Sequence, residues 1–249
     1  MKKIDGLMML AACLALNGCG DNPDASVEFI SIPAGSFISS ISDTTVNIEA
    51  FQLAKTPTTV AQFKACVDDG ACSTDNYIPH LLPECNYGRG DQWRDHPMNC
   101  INWHGAEEFC KWVGGYLPTA DEWEYAATHD GTQVRQTAYP WGDDEPRHCF
   151  HANYFLGGGL EVSLHYCDGL IEVSDSVGTS AVGTYSPQGD SPLGLQDMIG
   201  NVYEWTSTPK SNSRYVDKGG NDSVVFRNSF TEAEQISPLG GFRCAAPVE

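Results

Sequence analysis

Apolar residues fall at helical spacing in only three short stretches. Val60, Phe63, Cys66 and Val67 share one stripe, which predicts a helix within Thr58 to Val67. Trp103, Ala106, Phe109, Cys110 and Val113 form a second stripe and predict a helix over Trp103 to Val113. A third helix opens at Thr119-Ala120-Asp121-Glu122, where Thr119 can cap and Glu122 sits at the capping-box position, with Trp123, Ala126 and Ala127 as its apolar face. From Tyr139 to Gly194 the chain is rich in Gly, Pro, Asp and Ser and offers only short strand-like runs such as Ala181 to Tyr185. No internal repeat or low-complexity block interrupts it, and nothing between Val27 and Glu249 reads as a linker. Three short helices among many turns predict an irregular α+β single domain.

Composition narrows the partners. The 249 residues are 41% hydrophobic and 10% aromatic, enough to bury a sizeable core. Lys and Arg number 14 against 33 Asp and Glu, a net charge of −19. Such a surface repels nucleic acid and anionic lipid headgroups, so neither is expected as a partner. It suits solubility outside the cell, and its carboxylates are the natural oxygen ligands for calcium.

The amino-terminal segment supplies an address. Met1-Lys2-Lys3 is a short basic start, and Gly6 to Leu16 is an apolar run too short to span a bilayer. Leu16-Asn17-Gly18-Cys19 resembles a bacterial lipobox, whose cysteine is acylated. Leu10-Ala11-Ala12-Cys13 fits the same pattern but leaves an apolar run of about six residues, below the usual length of a signal peptide. Residues 1–18 therefore read as a lipoprotein signal peptide, Cys19 as the lipidated residue, residues 19–27 as a tether and residues 28–249 as the domain. The expected location is the bacterial cell envelope, anchored through the acylated N-terminus, with Gly20 after Cys19 favouring the outer membrane.

Ten cysteines less Cys13 and Cys19 leave eight: Cys66, Cys72, Cys85, Cys100, Cys110, Cys149, Cys167 and Cys244. An even number in an exported chain reads as disulfides. A zinc site would want Cys-x-x-Cys or Cys/His pairs at tight spacing, which these eight lack. His148 and His151, three apart without a nearby carboxylate or helical pattern, read as solvent-facing loop histidines. A Gly-x-Ser-x-Gly elbow is absent, which argues against a serine hydrolase. The six tryptophans read as core.

Four ordered segments carry a family resemblance: Thr56 to Phe63; His96-Pro97 through Trp112 into Leu117-Pro118-Thr119-Ala120-Asp121-Glu122-Trp123-Glu124-Tyr125; Tyr139-Pro140-Trp141-Gly142 with Ala152-Asn153; and Gly194 through Thr206, Lys218-Gly219-Gly220 and Gly241-Phe242-Arg243-Cys244. Together they resemble the formylglycine-generating, or sulfatase-modifying factor, family from about Phe29 to Ala245. The resemblance implies a C-type-lectin-like fold of low regular secondary structure, stapled by a Cys110–Cys244 bridge. Short spacing then suggests Cys66–Cys72, Cys85–Cys100 and Cys149–Cys167 for the rest. It also implies structural calcium held by the side chains of Asp197 and Glu204 with the carbonyls of Gly200 and Val202. A second calcium site would use Asn153 and a carboxylate near Asp168 or Asp175.

The resemblance breaks at the catalytic thiols. The family oxidase holds copper on two cysteines five residues apart after the Gly-Gly motif, soft ligands suited to Cu(I). Here those places hold Val224 and Ser229, and Asn221 and Leu239 replace the usual Ser and Asn. Copper is therefore not expected, and formylglycine generation is expected to be absent. The leading expectation is a membrane-displayed binding module for a protein, peptide or glycan, using Asn221, Asp222, Ser223, Val224, Phe226, Arg227 and Asn228. Every residue from Asn221 to Thr231 is also one that randomised Asn codons yield, as in lectin-fold lipoproteins diversified by retroelements. Alternatives are an enzyme of the family with a different oxidoreductase or maturation activity, with a pocket near Trp205 and Arg227, and a structural component of an envelope or motility complex.

Overall fold

The computed structural model describes residues 23–78, 84–129, 137–147, 149–154, 178–220 and 229–248. The three expected helices are present: α1 (Val60–Asp68), α2 (Trp103–Trp112) and α3 (Ala120–Thr128). Each begins where a side chain can take an orphan backbone N–H. Gln62 N donates to Thr59 Oγ1 while Thr59 N donates to Gln62 Oε1, and Thr119 with Glu122 repeats this box at α3. Asn102 Oδ1 accepts from Gly105 N at α2.

Among the described residues nine short strands make three sheets. β1 (Phe29–Ile32), β4 (Phe51–Ala54) and β9 (Ala245–Pro247) form an antiparallel sheet with β4 in the middle, so the first and last strands flank the same strand. β2 (Gly35–Ile38) and β3 (Thr45–Ile48) form a two-stranded ribbon. The third sheet runs β7 (Ser229–Glu232), β6 (Arg214–Gly220), β5 (Gly200–Ser211), β8 (Gly240–Gly241), antiparallel except for the β5–β8 pair.

The run Ala181 to Tyr185 is not the strand its composition suggests. It enters a series of turns in which Thr184 N donates to Ala181 O and Gly189 N to Tyr185 O. Gly183 at φ +74° and the donor-less Pro187 remove it from any ladder.

Two larger apolar clusters fill the interior. One gathers Phe63, Met98, Phe109, Trp205 and Phe242, the other Ile32, Phe37, Leu53, Trp123 and Met198. Trp103, Trp123 and Trp205 are buried, as expected of core tryptophans, whereas Trp93, Trp112 and Trp141 are only half-buried. Cys110–Cys244 ties α2 to the residue ahead of β9 across a sequence separation of 134. Cys66–Cys72 and Cys85–Cys100 also form as expected. Cys149 is disulfide-bonded, while Cys167 lies outside the described residues. The amino-terminal stretch is held against the body from Pro23 onward: Asp24 pairs with Arg94, and Gln62 Nε2 donates to Ser26 O at 2.8 Å.

Candidate functional site

Strand pairing builds a small site on the third sheet. β5 and β6 set Trp205 opposite Asp217, and β6 and β7 set Asp217 opposite Ser229. An indole, a carboxylate and a hydroxyl thus form one cross-strand row. Tyr203, two residues ahead of Trp205, shares its face. Gly220 makes room for it: at φ +86° and with no Cβ, which would fall 1.9 Å from the Tyr203 ring, it alone lets the ring cross the strand end. With Thr231, Gln235 and Ser237 these side chains line a cavity of about 170 Å³.

Asp217 is the unusual member. It is 6% exposed; its Oδ2 accepts from Thr231 Oγ1 at 2.5 Å, and its Oδ1 is buried with no hydrogen-bond partner. Burial pushes the carboxyl above its ordinary value, and the hydroxyls of Thr231 and Ser229 oppose the rise. No Lys or Arg lines this cavity among the described residues. Ser229, the residue at the family's second thiol position, stands at the rim beside it. Asn221, Asp222, Ser223, Val224, Phe226, Arg227 and Asn228 lie outside the described residues.

Beneath the site lie two buried ion pairs that the sequence did not single out. Arg243 donates from Nε to Glu204 Oε2 and from Nη2 to Glu204 Oε1, each at 2.7 Å, with both side chains at most 1% exposed. The same guanidinium bonds the carbonyls of Ala54, Lys55, Gln196 and Asp197. Lys218 Nζ donates to Glu124 Oε2 at 2.5 Å, both fully buried. Burial lowers the Lys218 amine and Glu124 opposes that shift. Both cations fall inside the Lys-Gly-Gly and Gly-Phe-Arg motifs, where a charge amid apolar and Gly residues is the available signal.

Of the residues expected to hold calcium, Asp197 lies in the tight turn entering β5 and Gly200, Val202 and Glu204 lie along the start of that strand; Asp197, Gly200 and Asn201 all have positive φ. Asp197 Oδ2 accepts from Gly183 N at 2.6 Å, and burial, which disfavours the charged form, pushes its carboxyl up to about 6. Glu204 Oε2 is filled by Trp123 Nε1 and Arg243 Nε, whereas Oε1 accepts only from Arg243 and keeps one lone pair. Were calcium bound here, Glu204 could reach it through Oε1 alone, since Arg243 already bonds both of its oxygens. Asn153 is buried nearby; its Nδ2 donates to Ser180 Oγ at 3.0 Å and its carbonyl accepts from Asn201 N at 2.7 Å. Asp168 and Asp175 lie outside the described residues. Among the described residues no three His, Cys, Asp or Glu side chains gather closely enough to hold a metal without backbone ligands.

His151 corrects an expectation. It is 7% exposed rather than solvent-facing, because its ring stacks on Trp141 at 4.4 Å and its Nδ1 accepts from Arg147 N. Burial and then the Arg147 charge hold it below the usual imidazole range, with Asp144 opposing. His148 lies outside the described residues. A larger cavity of about 390 Å³ sits beside α1 between Lys64, Tyr87 and Arg94, and none of the expected calcium or ligand-binding residues is among the described residues that line it.

Sparse helices, three small sheets, a disulfide tying α2 to the C-terminal end and a floor of buried ion pairs define, among the described residues, an irregular α+β domain of the C-type-lectin-like kind. The sulfatase-modifying factor enzyme 1-like domain matches residues 19–248, and the chain belongs to that family. It is 33% identical over 178 residues to the mouse (Mus musculus) formylglycine-generating enzyme, covering 61% of this chain and 44% of that protein. It is 30% identical over 184 residues to the hercynine oxygenase of Mycolicibacterium thermoresistibile, covering 66% and 37%. The chain therefore spans less than half the length of these two relatives. Among solved structures, CarF superposes with a TM-score of 0.66 at 17% identity over 90% of this chain and 100% of that one, a likeness of fold.

Proposed function

We propose that this chain is a lipid-anchored protein of the bacterial cell envelope whose family domain binds a ligand and does not oxidise one. The observation that carries this reading is Ser229. It occupies the second thiol position of the family oxidase, beside a carboxylate rather than a copper-binding sulfur. Val224 occupies the first position, and no cysteine falls between Cys167 and Cys244. Hydroxyl and aliphatic side chains cannot replace a thiolate pair for Cu(I). Recognition would use the end of the β5–β6–β7 sheet and the segment Asn221 to Asn228 that joins β6 to β7. The occupant would be a protein, peptide or glycan presented near the membrane.

Calcium would serve as a structural ion, held by Asp197 and Glu204 Oε1 with the carbonyls of Gly200 and Val202, fixing the turn that feeds β5. Acylation at Cys19 would place the domain close to the bilayer, with Gly20 directing it to the outer membrane. One observation favours a second reading: a buried, raised carboxyl such as Asp217 is also what a general acid–base enzyme needs. Two measurements test the proposal. Cu(I) titration against a chromophoric chelator should show no high-affinity uptake, and tight binding would contradict it. Labelled palmitate should enter the wild-type protein and not the Cys19→Ser variant; equal labelling would remove the anchor.

A further inference from the structure

We propose that the strap formed by residues 23–28 seats the domain with its α1 face on the zwitterionic headgroups of the bilayer that anchors Cys19. This assignment rests on the lipid-anchor reading, and it names the surface that meets the membrane.

The strap is docked along most of its length. Pro23–Ala25 forms one helical turn packed on α1. Asp24 pairs with Arg94, and Gln62 Nε2 on α1 donates to Ser26 O at 2.8 Å. Lys55 holds Glu28 twice: its backbone N donates to Glu28 O at 2.9 Å, and its Nζ reaches the Glu28 carboxylate at 3.1 Å. Every second residue from Asp24 to Glu28 is thus fixed before β1 begins.

Docking halves the reach of the tether. A tether free through Val27 would run eight chain steps from Cys19, up to about 29 Å, which exceeds the domain's radius. With Pro23 held on the body, four steps remain, at most about 14 Å. A headgroup layer of ~5–8 Å takes up part of that. A domain of this length has a radius of gyration of ~17 Å and therefore a diameter of ~44 Å. A leash of ~14 Å cannot pass around such a body, so the face that carries Pro23 is the face turned to the bilayer.

The chemistry of that face suits headgroups bearing both charges. The cavity of about 390 Å³ beside α1 begins at Asp24 itself and is lined by Lys64 and Arg94 as well as Asp68 and Asp91. A phosphate can meet the two cations and an ammonium the two carboxylates. Lys64 already pairs with Asp68 and Arg94 with Asp24, but these pairs are solvent-accessible, and exposed pairs contribute little, so headgroups can exchange with either partner. The net charge of −19 opposes approach to an anionic surface, which leaves zwitterionic phospholipid as the occupant.

The test uses the full-length lipidated chain in phosphatidylcholine vesicles carrying a trace of lipid with a nitroxide on its headgroup. A bimane fluorophore is placed in turn at Asp68→Cys and Gln92→Cys beside α1, and at Ser42→Cys and Ser213→Cys on the β2–β3 and β5–β6 turns. Quenching at the first two sites should exceed that at the last two by at least about twofold, because a ~14 Å leash holds them lowest on a ~44 Å body. A flexible Gly/Ser insert of ~20 residues between Cys19 and Pro23 adds ~25 Å of r.m.s. reach and should bring the four sites to similar quenching. Replacing half of the lipid with phosphatidylglycerol should weaken quenching at residues 68 and 92. The assignment is overturned if the four sites quench equally in the parent chain, if the insert changes nothing, or if phosphatidylglycerol strengthens quenching beside α1. Labelled palmitate separates the two failures. A chain that takes no label overturns the anchor reading, whereas a labelled chain with equal quenching at all sites overturns only the assignment of the face.

Discussion

Replacing Arg243 with Met tests the claim that buried electrostatics hold the floor of the site. Arg243 is fully buried, and its guanidinium is the partner of Glu204, itself 1% exposed. Met fills much of the volume but supplies no donor, so Glu204 would keep only Trp123 Nε1. Removing one member of a buried pair typically costs about 3–5 kcal/mol because an unpaired charge stays behind. The carbonyls of Ala54, Gln196 and Asp197 each lose the Arg243 donor as well, and Lys55 O keeps only Gln196 N, so a loss in the middle of that range is expected. Against a total stability of ~5–15 kcal/mol, a loss of ~4 kcal/mol is large. With a urea slope of ~3 kcal/mol per molar, the unfolding midpoint should fall by ~1.3 M, disulfides intact. Adding Glu204→Gln should restore part of that loss, since it removes the stranded charge. A midpoint shift below about 0.3 M, or no recovery in the double variant, would refute the reasoning.

Other outcomes follow from single residues. Asp197 has its folded-state pKa raised to about 6, so the native state holds the extra proton and stability should fall as pH rises from about 4 to about 6. The effect is up to about 3 kcal/mol, and Asp197→Asn should remove that slope in urea titrations run with EDTA. Adding calcium at neutral pH should raise the wild-type melting temperature and leave Asp197→Asn unmoved, as expected for an ion that binds only the native state. Replacing Cys110 and Cys244 by Ser should cost about 2–5 kcal/mol, read as a fall in melting temperature of roughly 5–15 °C, because the bridge closes a loop of 134 residues. Gly220→Ala should destabilise by about 1–3 kcal/mol and broaden the Tyr203 ring resonances, since the new methyl would strike that ring.

Helical periodicity gave α1 and α2 nearly to their ends, and the Thr119–Glu122 box gave the start of α3, because a capping box acts locally and needs no tertiary context. The turns at Ala181 to Tyr185 escaped composition because the Gly183–Asp197 bond that fixes them is long-range. His151 was misplaced for a similar reason: its burial comes from Trp141, ten residues upstream, folding back over it. The Cys110–Cys244 bridge was legible through family resemblance, and spacing suggested Cys66–Cys72 and Cys85–Cys100. Asp217 was invisible to every motif. An acidic residue in a strand disfavours the ladder, which hints at a role, but its orphan oxygen appears only once β5, β6 and β7 are in register. Glu204 and Asp197 were both named from the sequence, yet the presence of Arg243 between Glu204 and the Asp197 carbonyl required the fold.

The most direct test of the central claim is conversion of a Cys-x-Pro-x-Arg peptide by the purified mature chain, supplied with Cu(I) and oxygen and read by mass spectrometry. With Val224 and Ser229 at the thiol positions, the peptide should be recovered with its cysteine unchanged. Appearance of the formylglycine peptide above the level of a protein-free control would contradict the account and show that oxidation proceeds here without the thiol pair.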